Sequence, residues 1–386
     1  MNIAQTPPFR GARLLVVALF AVLVAALAAC TGVEPSPGST SSSSPLPSSP
    51  FDPTTTPLPE PTGPLLAYRA ADEIGLVDGT TVIATASGTF TPSNDLITTE
   101  DGRYVFARTT DDQLATLEVA SGKSATRPVP TGPAVGTGGE STVVWFEQPN
   151  RLMRLDLADP DSQPTIAQIV ELPTVPGTRP GEARLVVARG GTAVIARTET
   201  PPSPFGGPDT LYAVRGPGAP TSLGQVEANS PVSVARLSAD GARLAYAMYR
   251  ATDNECGTAA VVLTAADGSQ QTYDVASSDA QAGSRVPKLW WPTEGLPQLS
   301  LMTWRCDRTE AYPPLVWQLS DDGMTQVEPR AAAIQIADVA PAQRALVLPQ
   351  DGEYTEPAGA LVLEESDRRI PIKSGVDAIA VIAPSP

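Results

Sequence analysis

From Leu65 onward the apolar residues fall in short runs rich in Val, Ile, Leu and Tyr, and polar turn residues break them at regular intervals. "LITTEDGRYVFART", "LVVARGGTAVIART" and "VSVARLSADGARLAYAMYR" each pair two such runs around Asp-Gly or Gly-Gly. No long segment carries apolar residues at helical spacing, so the pattern predicts β-strands joined by tight turns throughout.

The pattern also repeats. "VSVARLSADGARLAYAMYR" superimposes on "VPKLWWPTEGLPQLSLMTWR" with Asp240-Gly241 over Glu294-Gly295, and "VGTGGESTVVWFEQ" and "IADVAPAQRALVLPQ" share the outline. Units begin near residues 94, 134, 182, 232, 286 and 334, a spacing of roughly 40 to 54 residues that matches one four-stranded propeller blade. Ahead of the first unit, "LLAYRAADEIGLVDGTTVIATAS" supplies second, third and fourth strands; after the last, "VDAIAVIAP" supplies a first strand. A blade built from both termini ties the ends together and leaves no open sheet edge in the ring. The expected fold is therefore an all-β propeller over residues 65–386. It should have seven four-stranded blades, with a C-terminal strand joining the N-terminal blade.

Connections between second and third strands are short in the early blades. They lengthen in blades four to seven to "RTETPPSPFGGPDT", "YRATDNECGTA", "WRCDRTEAYPP" and "LPQDGEYTEPAG". Long loops on one side of one propeller face form a natural binding surface, because a rigid scaffold holds them. Asp253, Glu255, Trp304, Asp307, Glu310, Tyr312, Asp351, Glu353 and Tyr354 are the candidates there. The acids could suit Ca²⁺ or a basic partner, but no EF-hand spacing accompanies them. A solvated acidic rim is the reading adopted, with no metal and no cofactor. Four tryptophans, Trp290, Trp291, Trp304 and Trp317, fall in blade six. Trp291 aligns with Leu237 and reads as core, which leaves Trp304 as the better contact. Cys256 and Cys306 occupy equivalent loops of adjacent blades and are expected to form a disulfide outside the cytoplasm.

"SADGARLAYA" and "TEDGRYVFAR" resemble the WD40-like repeat of TolB-type propellers, Ser-Pro-Asp-Gly followed by a basic residue and an apolar strand. Ala239 replaces that proline, and Leu237 the tryptophan common before it. TolB-type relatives imply protein partners. The domain that precedes the TolB propeller has no counterpart here, so its particular role is not carried over.

The N-terminus adds location. Arg10 and Arg13 precede "LLVVALFAVLVAALA", about fifteen apolar residues, the length of a signal-peptide core and short for a membrane span. "LAAC", Leu27 to Cys30, resembles the lipobox of bacterial lipoproteins. That resemblance implies that residues 1–29 are a signal peptide and that Cys30 receives a thioether-linked diacylglycerol anchor. Residues 30–64 would then be a Ser/Thr/Pro-rich tether reaching on the order of 100 Å at most. The expected location is the outer face of the cytoplasmic membrane of an actinobacterium-like cell, with an envelope protein or glycan as partner.

Charge and composition exclude other classes. With 42 acidic against 26 basic residues and a net charge of −16, the charge balance argues against a nucleic-acid partner, and none is expected. Histidine is absent, which removes His-dependent nucleophile activation and His-containing zinc sites. No catalytic residues are assigned. The leading expectation is a lipid-anchored binding or scaffold propeller. The alternatives are a propeller enzyme of the lactonase, glycosidase or quinoprotein kind, for which the inner strands offer Arg236 and Asp338, and a surface protein with no discrete ligand.

Overall fold

The computed structural model describes residues 61–382 apart from 62, 93–94, 130–133, 201–207, 251–255, 266, 276–281, 293–294, 308–310, 321, 328–331, 351–357 and 367. The signal peptide, Cys30 and most of the tether lie outside these residues, as do Asp253, Glu255, Glu310, Asp351, Glu353 and Tyr354. No helix occurs among the described residues.

Strands β1 (Leu65–Ala70), β2 (Glu73–Asp78) and β3 (Thr81–Ser87) come first. β4 (Leu96–Thr98), β5 (Tyr104–Arg108), β6 (Gln113–Glu118) and β7 (Ser124–Pro128) make a four-stranded sheet. A second contains β8 (Val135–Thr137), β9 (Thr142–Glu147), β10 (Arg151–Asp156) and β11 (Thr165–Ile169). The third holds β12 (Arg179–Arg189), β13 (Thr192–Thr200), β14 (Asp209–Arg215) and β15 (Thr221–Gln225). In the fourth are β16 (Val232–Leu237), β17 (Leu244–Arg250), β18 (Thr258–Thr264) and β19 (Gln270–Asp274). The fifth has β20 (Ala282–Trp290), β21 (Gln298–Arg305), β22 (Leu315–Ser320) and β23 (Gly323–Gln326). Last come β24 (Gln335–Ala340), β25 (Gln343–Pro349), β26 (Gly359–Glu365) and β27 (Arg368–Ile382).

Every sheet is an antiparallel meander, and the first strands fall close to the unit starts expected from the repeat. One expectation is altered. Five sheets are separate four-stranded units, whereas the remaining strands form one continuous seven-stranded sheet, β24-β25-β26-β27-β1-β2-β3. The cause is β27. Its Arg368–Lys373 portion pairs with β26, and Val376–Ile382 then pairs with β1 from Ala70 back to Leu65, so the two termini share one sheet. Gly375, at φ +71°, sits where the partner changes, a backbone state that glycine adopts without a Cβ clash.

Alternation along the strands explains the closed ring, because each face of a sheet serves a different neighbour. In β13, Val194 and Ala196 pack toward the β16–β19 sheet, while Ala193 and Ile195 pack toward the β8–β11 sheet. In β17, Tyr246 and Met248 face one way and Ala245 and Ala247 the other. Consecutive sheets are joined in this way around the chain, and Leu66, Tyr68 and Ile379 pack with Ile334, Val347 and Leu361 to join last to first. Middle strands are accordingly buried on both faces, as in β5, whereas the outermost β7 and β11 are largely exposed. The fold is an all-β propeller.

Candidate functional site

The repeat turns are built by their own side chains. Ser238 Oγ donates to Asp240 Oδ1 at 2.5 Å and accepts from the Arg243 amide, while the Ala242 amide donates to the same carboxylate. Thr99 and Asp101 repeat the arrangement with the Arg103 and Tyr104 amides. The Ser238 hydroxyl, then the Ala242 amide, hold the Asp240 carboxyl below its ordinary value. Gly241, at φ +66°, abuts the backbone of Arg189 and Gly190, leaving no room for a Cβ. These aspartates are therefore committed to turn geometry.

On the opposite face, the second-to-third-strand connections are short between β5 and β6 and between β9 and β10. They are long after β13, β17, β21 and β25, as the loop lengths predict. Cys256, after β17, and Cys306, after β21, form a disulfide with Cα atoms 5.4 Å apart. Around it the adjacent sheets interlock. The Gly257 amide donates to Tyr249 Oη at 3.0 Å, the Ser284 amide donates to the Gly257 carbonyl at 3.0 Å, and Ser284 Oγ accepts from the Ala259 amide at 2.9 Å. Trp304 lies half-buried over Gly283, where a Cβ would overlap its indole, with its ring 6.4 Å from that of Tyr249. Asp307 pairs with Arg305 at 2.9 Å, and Tyr312 is 51% exposed. Of the surface predicted from sequence, Trp304 and Asp307 lie within two residues of Cys306, and the Tyr312 amide donates to the Thr303 carbonyl at 2.7 Å. Trp291 packs between sheets, its Nε1 donating to the Arg236 carbonyl at 3.3 Å and the Arg243 guanidinium 4.8 Å above its ring.

A second group, centred on the innermost strands, was largely missed by sequence reasoning. Arg236 of β16 reaches across to Asp95, just before β4, with two nitrogens on two carboxylate oxygens at 3.0 and 2.5 Å. Arg69 of β1 donates to Asp377 of β27 at 2.8 Å, both fully buried. Lys288 of β20 donates to the Pro92 carbonyl at 3.0 Å. Pro92 and Asp95, between β3 and β4, thus receive side chains from the sheets that contain β20 and β16. Burial, reinforced by Arg69 and opposed by Asp377 and Asp95, pushes the Lys288 amine down to about 8. A cavity of about 280 Å³ adjoins this cluster, lined by Asp95, Arg108, Arg184 and Arg236 and by the apolar side chains of β8, β12 and β16. Asp338, the other inner-strand candidate, instead lines a separate open hollow with Arg344 and Glu364. The missed residues had a signal, since Arg69 in "LLAYRA", Lys288 in "VPKLWW" and Asp377 in "VDAIAV" are charges set among apolar strand residues.

No protein-family model matches the chain, and no curated protein matches it in sequence. Solved structures do resemble it. Dihydro-heme d1 dehydrogenase NirN in complex with DHE is 12% identical, with a TM-score of 0.47 over 84% of this chain and 76% of that one. An oligogalacturonate lyase in complex with manganese is 12% identical, with a TM-score of 0.45 over 82% and 86%. BamB from Moraxella catarrhalis is 12% identical, with a TM-score of 0.37 over 84% and 87%. These are likenesses of fold and assign no function.

Proposed function

We propose that this protein is a lipid-anchored propeller of the cell envelope, held to the membrane through Cys30, that binds a protein partner through the long connections after β13, β17, β21 and β25. The observation that carries the reading is the disulfide, which ties two of those connections together on one face and pre-organises a surface that loops alone would present at an ordering cost. Exposed Tyr312, in the connection that follows Cys306, supplies an aromatic contact of the kind enriched at interfaces. In this reading the seven-stranded sheet counts as two blades sharing β27, giving seven in a TolB-like arrangement. Seven apolar clusters, one for each neighbouring pair, support that count. The competing enzyme reading would place its chemistry on the inner strands, where Asp95 and Asp377 are engaged by Arg236 and Arg69. That pairing favours a binding role.

The test is crosslinking and affinity recovery from membranes, comparing native protein with a variant trimmed in the four long connections. A partner recovered with the native protein and lost with the trimmed one supports the proposal; equal recovery overturns the binding face. A Cys30→Ala variant tests the anchor separately and should move the protein out of the membrane fraction.

A further inference from the structure

Among the described residues four large apolar side chains are exposed, and two of them, Ile166 and Ile169 at 49% each, lie on β11. This strand ends its sheet, bonded to β10 on one side and to no strand on the other. Its sequence, "TIAQI", holds no charge, proline or glycine. Natural edge strands are commonly guarded by such residues or kept very short. Elsewhere β7 ends in Arg127 and Pro128, β15 contains Gly224, β19 ends in Asp274 and β23 has only 4 residues. β3 turns Ile83 and Ala84 against a neighbouring core.

A bulge puts both isoleucines on one face. Ile169 pairs with Arg151 and Ile166 with Met153, and the register shift between Leu152 and Met153 leaves Ala167 as the extra residue. Because Arg151 and Met153 are two apart on β10, their partners point to the same side of the sheet. The Val170 amide donates to the Asn150 carbonyl at 2.8 Å, so the N–H and C=O of Ile169 point outward, away from β10. Both ends of the strand are acidic. Asp159 and Asp161 precede it and Glu171 follows it, all exposed and none in an ion pair among the described residues. The neighbouring cations are occupied, Arg151 by Glu147 at 2.9 Å and Arg154 by the Thr165 hydroxyl at 3.4 Å.

We propose that β11 docks an extended basic segment of a partner protein, which adds a strand to the four-stranded β8–β11 sheet. Outward backbone groups supply the pairing, apolar side chains at alternate positions of the incoming strand cover Ile166 and Ile169, and lysine or arginine at its ends meets Asp161 and Glu171. Acid at both ends selects a basic occupant. A second copy of this chain would bring the same acids against them, at a net charge of −16 per chain. β11 belongs to none of the long connections, so this site and the loop surface stand or fall independently.

Fluorescence anisotropy on the full-length protein in nonionic detergent tests this, with the labelled peptide Lys-Lys-Thr-Val-Thr-Val-Thr-Lys-Lys as the probe. One comparison peptide carries glutamate in place of every lysine, and another carries proline in place of the central threonine. The expected result is saturable binding of the probe that weakens with added salt, and binding of both comparison peptides weaker by about tenfold or more. Ile166→Ser with Ile169→Ser, at two exposed positions, should weaken the probe about tenfold. Asp161→Asn with Glu171→Gln should weaken it about threefold, and the loop-trimmed variant should bind it as the native protein does. Absence of saturable binding, equal binding of either comparison peptide, unchanged affinity in either folded double variant, or loss of binding in the folded loop-trimmed variant would each overturn the proposal.

Discussion

Replacing Lys288 by methionine keeps most of the buried stem and removes the ammonium. In the folded chain, burial and the Arg69 guanidinium lower this amine from an ordinary 10.5 to about 8. Between those values the unfolded chain holds a proton that the folded chain has released, so stability rises with pH across that window. Below pH 8 the folded chain bears the full cost of a buried cation. From pH 7 to 9.5 the wild type should therefore gain about 2 kcal/mol relative to Lys288→Met, at about 1.4 kcal/mol per pH unit over the part of the window traversed. Urea denaturation of both proteins at pH 7, 8 and 9.5, with the disulfide intact, reads this difference from the transition midpoints. The upper limit matters. Burial holds Tyr68, Tyr104 and Tyr246 protonated above the usual phenol range, so above about pH 10 their ionisation in the unfolded chain lowers stability in both proteins. Midpoints that move in parallel to within about 0.5 kcal/mol would show that the Lys288 environment differs from the one described.

The buried Arg69–Asp377 pair predicts that Arg69→Met costs about 3 to 5 kcal/mol, because it strands a carboxylate. Arg69→Met with Asp377→Leu should recover much of that loss in chemical denaturation. Reducing Cys256–Cys306, or replacing both residues by serine, should lower stability by about 4 kcal/mol on the chain-entropy model for a loop of this length, read from melts with and without reductant. Gly283→Ala places a methyl group against the Trp304 indole and should cost about 1 to 3 kcal/mol. A shift in tryptophan emission should accompany it.

The strand meander was legible in the sequence because it rests on local chemistry. Turns such as Ser238-Ala239-Asp240-Gly241 are closed by the hydroxyl, carboxylate and glycine of the same few residues. The joining of the termini was legible too, since "VDAIAVIAP" lacked partners of its own and "LLAYRAADEIGLVDG" lacked a first strand. That β27 would run unbroken from β26 to β1 was not, because a strand's pattern does not record where its partner changes.

The charged cluster on the inner strands divides along the same line. Charges set among apolar strand residues mark Arg69, Lys288 and Asp377 as unusual, but the sequence holds no trace of which acid meets which base. Arg236 and Asp95 are 141 residues apart, and closure of the ring alone brings them into contact. Sequence by itself determined the repeat, its turns, the placing of the long connections and the choice of cysteines for pairing, all of which depend on neighbouring residues or on equivalence between units. Tertiary structure decided the continuous sheet through β27, the packing of Trp304 on Gly283 and the burial of Lys288 near Arg69, because each depends on distances between segments that only the closed ring sets.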